Sequence, residues 1–377
     1  MASLLNDIRT RLKENRVIYS LRTRMLSKDY LEQKKRMRSS TLKSKQQVKR
    51  EMKMYSEYWG VPADEYVRYG LFERQITDEE ILDYIPTQFF YCKYLKESYS
   101  NIDTSVCGDK LMQYEILRKH NIPTPVVLFV IKCGHLMNMK NEEVKFSSLS
   151  SIVNEGEKLF IKPTDGCGGS GIVVLTRTRG GYNGLSINSL KELPIDNGRT
   201  YIVQKGLTQN PEISRIYDGC LNTLRTIVQY RDGKAKIACC ILRMGRNGAE
   251  VDNSAQGGIS IKVNFEDGTF SPAAIAEHGG EVFYSHPDTG YNFQHNRIAG
   301  WESIKAGIIE NTSKLSEYRD IGWDIALTDT GVSVIEFNLG YGIAHAQLSC
   351  GGLRRILNAY PDNDKQRIIC KNPNCMP

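Results

Sequence analysis

Residues Lys158–Leu175 read KLFIKPTDGCGGSGIVVL, with Gly166, Gly168 and Gly171 in G-x-G-x-x-G spacing. A dinucleotide site with that spacing needs a strand before the glycines and a helix after them, because the helix N-terminus receives the pyrophosphate. Here Ile172-Val-Val-Leu-Thr176 follows, a β-branched run that predicts a strand. The glycines therefore belong at the tip of a hairpin. A Walker loop would end in Gly-Lys-Ser/Thr, which is missing. Val173 completes the longer spacing used by protein kinases, but V-A-I-K, H-R-D and D-F-G do not follow. What remains is a flexible hairpin whose backbone N–H groups can fold over phosphates, with Lys162 on its incoming strand. Standing alone, the same pattern also suits a structural turn.

The 377 residues suffice for two or three domains, and the hydrophobic and charged fractions are those of a globular protein. The longest apolar run, Val126–Ile131, is too short to cross a bilayer. The first residues, MASLLNDIRTRLKENR, are charged too early for a secretory signal, so a cytoplasmic chain with reduced thiols is expected among its ten cysteines. Cys370 and Cys375 lie close together near the C-terminus; a metal site there is the weaker reading. Residues 1–53 hold sixteen Lys/Arg against five Asp/Glu, a net +11 in a chain of +7, which leaves −4 for the remainder. Leu4, Ile8 and Leu12, then Ile18, Leu21 and Met25, recur at roughly helical spacing. Such a basic amphipathic segment suits the anionic inner membrane surface or an acidic protein partner, or packs on its own domain. Nucleic acid is not an expected partner, since aromatic interleaving and a docking motif are both missing.

From Asp29 to about Ser100 the pattern is helical, with a turn at Tyr58–Asp64. A further helix is expected from near Asp109, closed by Asn121 and Pro123 and leading into a strand from Val126. Beyond Tyr201 strands are expected over Thr223–Tyr230, Lys236–Arg243, Ile259–Asn264, Asp324–Thr328 and Val332–Phe337, with a helix over Ile304–Tyr318. These segments suggest a mainly helical region over 1–100, a lobe with the glycine hairpin over 101–200, and a second lobe over 201–377.

The carboxylates stand in Gly322-Trp-Asp-Ile-Ala-Leu-Thr-Asp-Thr-Gly-Val-Ser-Val-Ile-Glu-Phe-Asn-Leu-Gly340. Two strands joined by a tight turn would set Asp324 near Glu336, with Asn338 on the Glu336 face because i and i+2 point the same way. Acids among Trp323, Ile325, Val334, Ile335 and Phe337 are costly to bury without a cation. Hard oxygen ligands of this kind suit Mg²⁺ held together with phosphates. An exposed hairpin with surface acids is the alternative.

Lys110 before Asn121-Ile-Pro-Thr-Pro125, the Ile161-Lys-Pro163 strand, the glycine hairpin, Tyr201-Ile-Val-Gln-Lys-Gly-Leu207, Asp324 and Glu336-Phe-Asn338 occur in one order. That order resembles the ATP-grasp superfamily. Leu221-Asn-Thr-Leu-Arg-Thr226, Leu242-Arg-Met-Gly245, Val251-Asp-Asn253, Gly257-Gly258, His286-Pro-Asp-Thr-Gly290 and Gly322-Trp-Asp-Ile-Ala326 are similar to its sugar-transfer-associated family, over roughly residues 90–355. The resemblance implies an α+β fold of two lobes clasping ATP. It implies that Lys110 and Lys162 contact phosphates, and that the loop with Gly166, Gly168, Gly169, Ser170 and Gly171 closes over them. Gln204, Lys205, Gly206 and Leu207 would form the adenine hinge, and Glu212 would reach the ribose. Asp324, Glu336 and Asn338 would hold one or two Mg²⁺ ions. Arg225 and Arg243 are left as catalytic cations for the transferred phosphate or an acidic substrate, with structural ion pairing as the alternative. Asn222, Asp252, Asn253 and His286 are weaker candidates for the acceptor site.

The implied chemistry is attack by a carboxylate on the γ-phosphate, then capture of the acyl phosphate by an amine to give an amide. The family points to a surface-glycan context, hence an acidic sugar joined to an amino acid or amine. A kinase phosphorylating a sugar hydroxyl, with His286 or Asp252 as base, is the main alternative. A non-catalytic glycan-enzyme partner and a ligase of two amino acids are two others. Two departures stand out from the family pattern: Gln204-Lys205 where many hinges begin with a Glu pair, and Asn338-Leu-Gly in place of Asn-Pro-Gly. Cys167 inside the hairpin is a further oddity, consistent with a tolerated small residue.

Overall fold

The computed structural model describes residues 28–361, apart from residues 101, 166–170, 184–186, 188, 254–256 and 277–279. Strands β1 (Val127–Lys132), β2 (His135–Asn138), β3 (Lys158–Pro163), β4 (Val173–Thr178), β5 (Gly181–Tyr182) and β6 (Tyr201–Lys205) form an antiparallel sheet in the order β2-β1-β6-β3-β4-β5. Alternation decides which way β3 faces. Leu159 and Ile161 enter a core with Phe129, Ile131, Leu175 and Val203, which leaves Phe160 and Lys162 on the opposite face. Ile161 pairs with Val173, so the glycine stretch connects a β3–β4 hairpin, as its flanks require.

Strands β7 (Thr223–Arg231), β8 (Lys234–Met244), β9 (Ile259–Lys262), β10 (Ala274–Ala276), β11 (Val282–Phe283), β12 (Asp320–Thr328) and β13 (Gly331–Asn338) form a second antiparallel sheet in the order β11-β10-β9-β8-β7-β12-β13. The β7–β8 turn has Asp232 at φ 52° and Gly233 at φ 75°, the positive pair that matches the right-handed twist of a hairpin. Every residue of β12 is buried, because the strand lies between β7 and β13.

The helices used below are α1 (Lys28–Ser39), α2 (Lys45–Trp59), α3 (Lys110–Lys119), α4 (Trp301–Lys314) and α5 (Ala344–Cys350). Asp109 caps α3 as expected, accepting from the backbone N–H of Leu111 at 2.8 Å and Met112 at 2.9 Å. The Gln113 side chain then accepts from Phe337 N at 3.1 Å, and Pro123 O accepts from Val334 N at 2.7 Å. These bonds dock α3 along β13 and bring Lys110 to Glu336. Helix α4 starts three residues before its expected position, at a Gly300 N-cap with φ 67°, and ends at Lys314 rather than Tyr318. The Trp323 indole donates to Thr312 Oγ1 at 3.0 Å and ties α4 to β12.

Three sequence expectations are revised. The lobe boundary expected at residue 200 falls after Lys205, because β6 pairs with both β1 and β3. The helical region before residue 100 does not stand apart, since Tyr55, Trp59, Phe72, Phe89 and Phe90 share one core with Ile227, Trp323 and Phe337 of the second sheet. Aromatic side chains of that size gain most where a second layer can cover them. Cys92 is disulfide-bonded, whereas Cys107, Cys133, Cys220, Cys239, Cys240 and Cys350 are free thiols.

Within the described part of the basic segment, Lys43 is buried and donates to Glu51 Oε2 at 2.8 Å and Leu71 O at 3.0 Å. Arg50 forks onto Asp78 at 2.6 and 2.8 Å. The amphipathic positions Leu4 to Met25 lie outside the described residues, as do Cys370 and Cys375. Among the described residues, no helix is long and apolar enough to cross a membrane.

Candidate active site

A cavity of about 390 Å³ lies between the two sheets. Lys110, Phe160, Lys162 and the segment Gln204–Leu207 line one side. Arg225, Arg243, Asp252, Asp324 and Glu336 line the other. The alternation that buries Leu159 and Ile161 is therefore what turns Lys162 into this space.

The hinge is built by backbone packing. Gln204 is buried and its amide donates to Pro125 O at 3.0 Å, so its side chain ties β6 to the entry of β1. Gly206 N donates to Lys158 O at 2.7 Å. A Cβ on Gly206 would meet Phe160 Cε2 at 3.1 Å and Lys158 O at 3.2 Å, so only glycine passes there without displacement. Lys205 pairs with Glu157 at 2.8 Å, and Leu207 adds an apolar wall to the cavity.

The acids sit where the hairpin argument puts them. Asp324 on β12 faces Glu336 on β13 in register, and Gly322 faces Asn338, with an irregularity between Asp324 and Ile325. Asn338 donates to Glu336 Oε1 at 3.3 Å. Lys110 Nζ stands 3.9 Å from Glu336 Oε2. Burial and the neighbouring Asp324 charge push the Glu336 carboxyl up, against the opposing pull of Lys110. Burial would raise Asp324 as well, but Arg225 and Arg243 outweigh it and hold that carboxyl down at about 2. Burial lowers the Lys162 ammonium to about 8; Glu336 opposes this and Lys110 adds to it. Two acids at one site thus have opposite tendencies, one held ionised and the other biased toward its proton.

The arginines bind these acids from the next strands. Arg225 on β7 lies in register with Asp324 and donates to both of its oxygens, through Nε and, at 2.8 Å, through Nη2. Arg243 on β8 approaches Asp324 at 3.3 Å and Asp252 at 3.5 Å, and donates to Thr223 Oγ1 at 2.7 Å. Asp252 in turn accepts from the Thr223 N–H at 3.0 Å and from its hydroxyl. Burial pushes the Asp252 carboxyl up while Arg243 opposes. Sequence reasoning left out Thr223, which sits within the quoted Leu221–Thr226 block. It also left out His345, a single histidine in an apolar stretch whose only local signal is its residue type.

Several expected site residues land elsewhere. Asn222 is buried and donates to Gln209 Oε1 at 3.1 Å and Tyr217 O at 2.6 Å, so it braces a turn. His286 is buried against the Tyr217 ring, its Nε2 2.9 Å from Gly245 O and its Nδ1 accepting from Asp288 N at 3.3 Å. Burial lowers its pKa. Glu212 pairs with Arg215 at 3.2 Å and lines a separate cavity of about 190 Å³ with Asn210 and Gly300. Asp252 and Asn253 do reach the main cavity. Gly171 has φ 74°, a conformation that favours glycine, while Gly166, Gly168, Gly169 and Ser170 lie outside the described residues.

The chemistry of this donor set fits both groups that the fold implies. Asp324, Glu336 and the Asn338 amide are hard oxygen donors on neighbouring strands, and a divalent cation would relieve the crowding that raises Glu336. Lys110 and Lys162 are cations that phosphates could engage, in the same cavity as the apolar wall of Leu207.

No curated protein matches the sequence. Among solved structures, the D-alanine–D-alanine ligase of Bacillus anthracis is 15% identical, with 67% of this chain and 62% of that chain covered and a TM-score of 0.35. The carboxyaminoimidazole ribonucleotide synthase of Aspergillus clavatus, complexed with ATP, is 12% identical, with coverages of 74% and 59% and a TM-score of 0.38. The N5-carboxyaminoimidazole ribonucleotide synthetase of Thermotoga maritima is 16% identical, with coverages of 76% and 59% and a TM-score of 0.34. This chain spans less than two thirds of the length of each. Residues 90–360, well over half of the sequence, match the sugar-transfer associated ATP-grasp proteins, and that span contains both sheets and every residue of the cavity named above. The chain belongs to the sugar-transfer-associated ATP-grasp family.

Proposed function

We propose that this protein is a Mg-ATP-dependent, ADP-forming carboxylate–amine ligase that joins an amino acid or amine to an acidic sugar or surface-glycan precursor. The observation that carries the reading is the convergence on one cavity of two lysines, a strand-paired carboxylate couple and two half-buried arginines. A nucleotide alone needs the lysines and the carboxylates. The arginines add cationic capacity next to the place where a substrate anion reacts.

Lys110 and Lys162 would hold the phosphates. Asp324, Glu336 and Asn338 would hold the magnesium. When bound, Mg-ATP supplies a γ-phosphoryl group whose developing charge is neutralised by metal and lysine. Arg225 uses Nε and Nη2 on Asp324 and keeps Nη1 for the acceptor carboxylate. Arg243, buttressed by Thr223 and Asp252, fixes the second edge of that anion. The carboxylate oxygen bonds to the γ-phosphorus as the bond to ADP breaks. Amine attack on the acyl carbon then releases phosphate, and the amine proton leaves to solvent or a cavity base. Positioning and charge neutralisation supply most of the rate.

A sugar kinase would use the same nucleotide site and a base at the hydroxyl. The burial of Asp252 on the cavity wall, with its carboxyl pushed up, favours keeping that reading as the second one; His286 is not at the cavity. Phosphorus NMR separates the two. The protein is incubated with Mg-ATP, uronic acids and mixed amino acids, with Lys162→Ala alongside. ADP and free phosphate that depend on both acid and amine support the ligase. A phosphate-ester resonance that needs no amine assigns the kinase, and failure to bind ATP refutes both.

A further inference from the structure

Two thiols meet beside the cavity, apart from the machinery described so far. On β8, Cys239 lies on the same face as Ile241 and Arg243, because side chains alternate along a strand. Ile241 and Arg243 line the cavity. On α5, Cys350 follows Ala346 by one turn and shares its face, and Ala346 lines the cavity as well. Strand and helix thus converge next to the cavity lining, and there the Cys239 thiol donates to Cys350 Sγ at 2.8 Å. The Cys350 thiol is directed in turn to Cys240 O at 3.8 Å. The Cys107, Cys220 and Cys240 sulfurs have oxygen partners of their own, Phe337 O, Asn222 Oδ1 and Thr226 Oγ1 respectively.

The two thiols differ in access. Cys239 is buried and Cys350 is half-buried. The bond to Cys350, followed by burial, holds the Cys239 thiol well above its ordinary value, so it stays a thiol and out of reach of a dissolved oxidant. Cys350 is the sulfur that such an oxidant meets first. The helix that carries it is fixed. Gln347, fully buried, accepts from Ile85 N at 2.7 Å and donates to Ile85 O at 2.9 Å and Tyr69 OH at 2.8 Å. Cys350 cannot swing away from Cys239 with the helix unless those bonds break. A disulfide bond is about 2.05 Å long, so the sulfurs need to approach by less than about 1 Å.

We infer that Cys350 and Cys239 form a reversible disulfide under peroxide, a covalent staple between α5 and β8 that stabilises the cavity wall without reshaping it. Hydrogen peroxide takes two electrons from the Cys350 sulfur: an S–O bond forms, the O–O bond breaks, and the departing hydroxide leaves as water with the thiol proton. The Cys239 sulfur then attacks the resulting sulfenic acid. The S–S bond forms as the S–O bond breaks, and the hydroxyl leaves with the Cys239 proton as a second water. A dithiol reductant reverses the link by thiol–disulfide exchange. The link joins residues 111 positions apart and closes a loop that holds β9 to β13, α4 and α5, with Asp324 and Glu336 inside it. A cross-link restricts the unfolded chain more as its loop lengthens, so this position favours a large gain. The inference is independent of which reaction the cavity carries out.

The test uses the full chain, reduced with dithiothreitol, freed of it, and exposed to a small excess of hydrogen peroxide before peptide mapping by mass spectrometry. Dimedone, which traps sulfenic acids, is added to a parallel sample, and the exposed Cys133 thiol reports that the oxidant was active. The expected product is a peptide pair cross-linked through Cys239 and Cys350. At a fixed urea concentration, oxidation should raise the folded-to-unfolded ratio of wild type at least about thirtyfold more than that of Cys350→Ser, and dithiothreitol should reverse the gain. Affinity for Mg²⁺ with a non-hydrolysable ATP analogue should stay within about threefold on oxidation, because the sulfurs barely move. In Cys239→Ala, dimedone should label Cys350, since the resolving thiol is gone. A map with Cys133 oxidised but without the Cys239–Cys350 pair overturns the inference. So does a larger loss of nucleotide affinity, because the bond would then distort the cavity wall. Dimedone on Cys239 in Cys350→Ser overturns the order of the two steps. Should Cys239→Ala fail to fold, the wild-type map and Cys350→Ser decide. Failure of the reduced protein to bind nucleotide would refute the ATP reading separately, since the map and the urea comparison need no nucleotide.

Discussion

Lys162 sets a pH window for nucleotide affinity. Burial takes its ammonium from the ordinary lysine value of 10.5 down to about 8, with Glu336 pulling the other way. At about 1.4 kcal/mol per unit, the charged form gives up about 3 kcal/mol in this site relative to water. Bound phosphates give the ammonium a partner and return its value toward the ordinary one. The nucleotide therefore prefers the protonated lysine: affinity is full below pH 8 and falls as pH rises through the free-site value of about 8. The slope approaches tenfold per unit, so pH 9.5 costs about 30-fold, or about 2 kcal/mol, against the full affinity reached well below pH 8. Phosphate titration lies lower, near pH 6, and does not enter the window. Calorimetry with Mg²⁺ and a non-hydrolysable ATP analogue from pH 7 to 9.5, in buffers of different ionisation enthalpy, reads both the affinity and the proton taken up. Uptake should approach one proton per site toward the upper end. Lys162→Arg, charged throughout, should flatten the profile while retaining binding. A wild-type affinity that stays flat to pH 9.5 without proton uptake would refute the placement of this ammonium against the phosphates.

Other consequences follow from the same geometry. Asp324→Asn removes the carboxylate that Arg225 and Arg243 share, and should lower stability by about 3 kcal/mol in urea unfolding and magnesium-dependent turnover by at least about a hundredfold. Turnover within twofold of wild type would remove Asp324 from the metal site. Gly206→Ala presses a methyl group against Phe160 and the Lys158 carbonyl, so nucleotide affinity should fall about tenfold with about 1 kcal/mol of stability lost. His286→Ala breaks a buried bond to Gly245 and should cost about 1–3 kcal/mol of stability, read in urea, with nucleotide affinity unchanged by calorimetry. Glu212→Ala should leave nucleotide affinity within about twofold, because its side chain lines the smaller cavity and pairs with Arg215 at the surface.

Much of this was legible in the sequence because its causes are local. The β-branched run after Gly171 makes the glycine stretch a hairpin, the Asp109 cap starts α3 at Lys110, and alternation along β13 places Glu336 and Asn338 on one face. Each depends on a few consecutive residues and on backbone geometry they share. Tertiary structure alone decided the partners. Arg225 meets Asp324 across 99 residues of chain, a match set by which strands become neighbours and in what register. The same choice put β6 in the first sheet, carried Glu212 and His286 away from the cavity, and brought His345 into its lining. Periodicity says which face a residue occupies, but what that face meets depends on how the whole chain buries its apolar surface, and no short stretch contains that information.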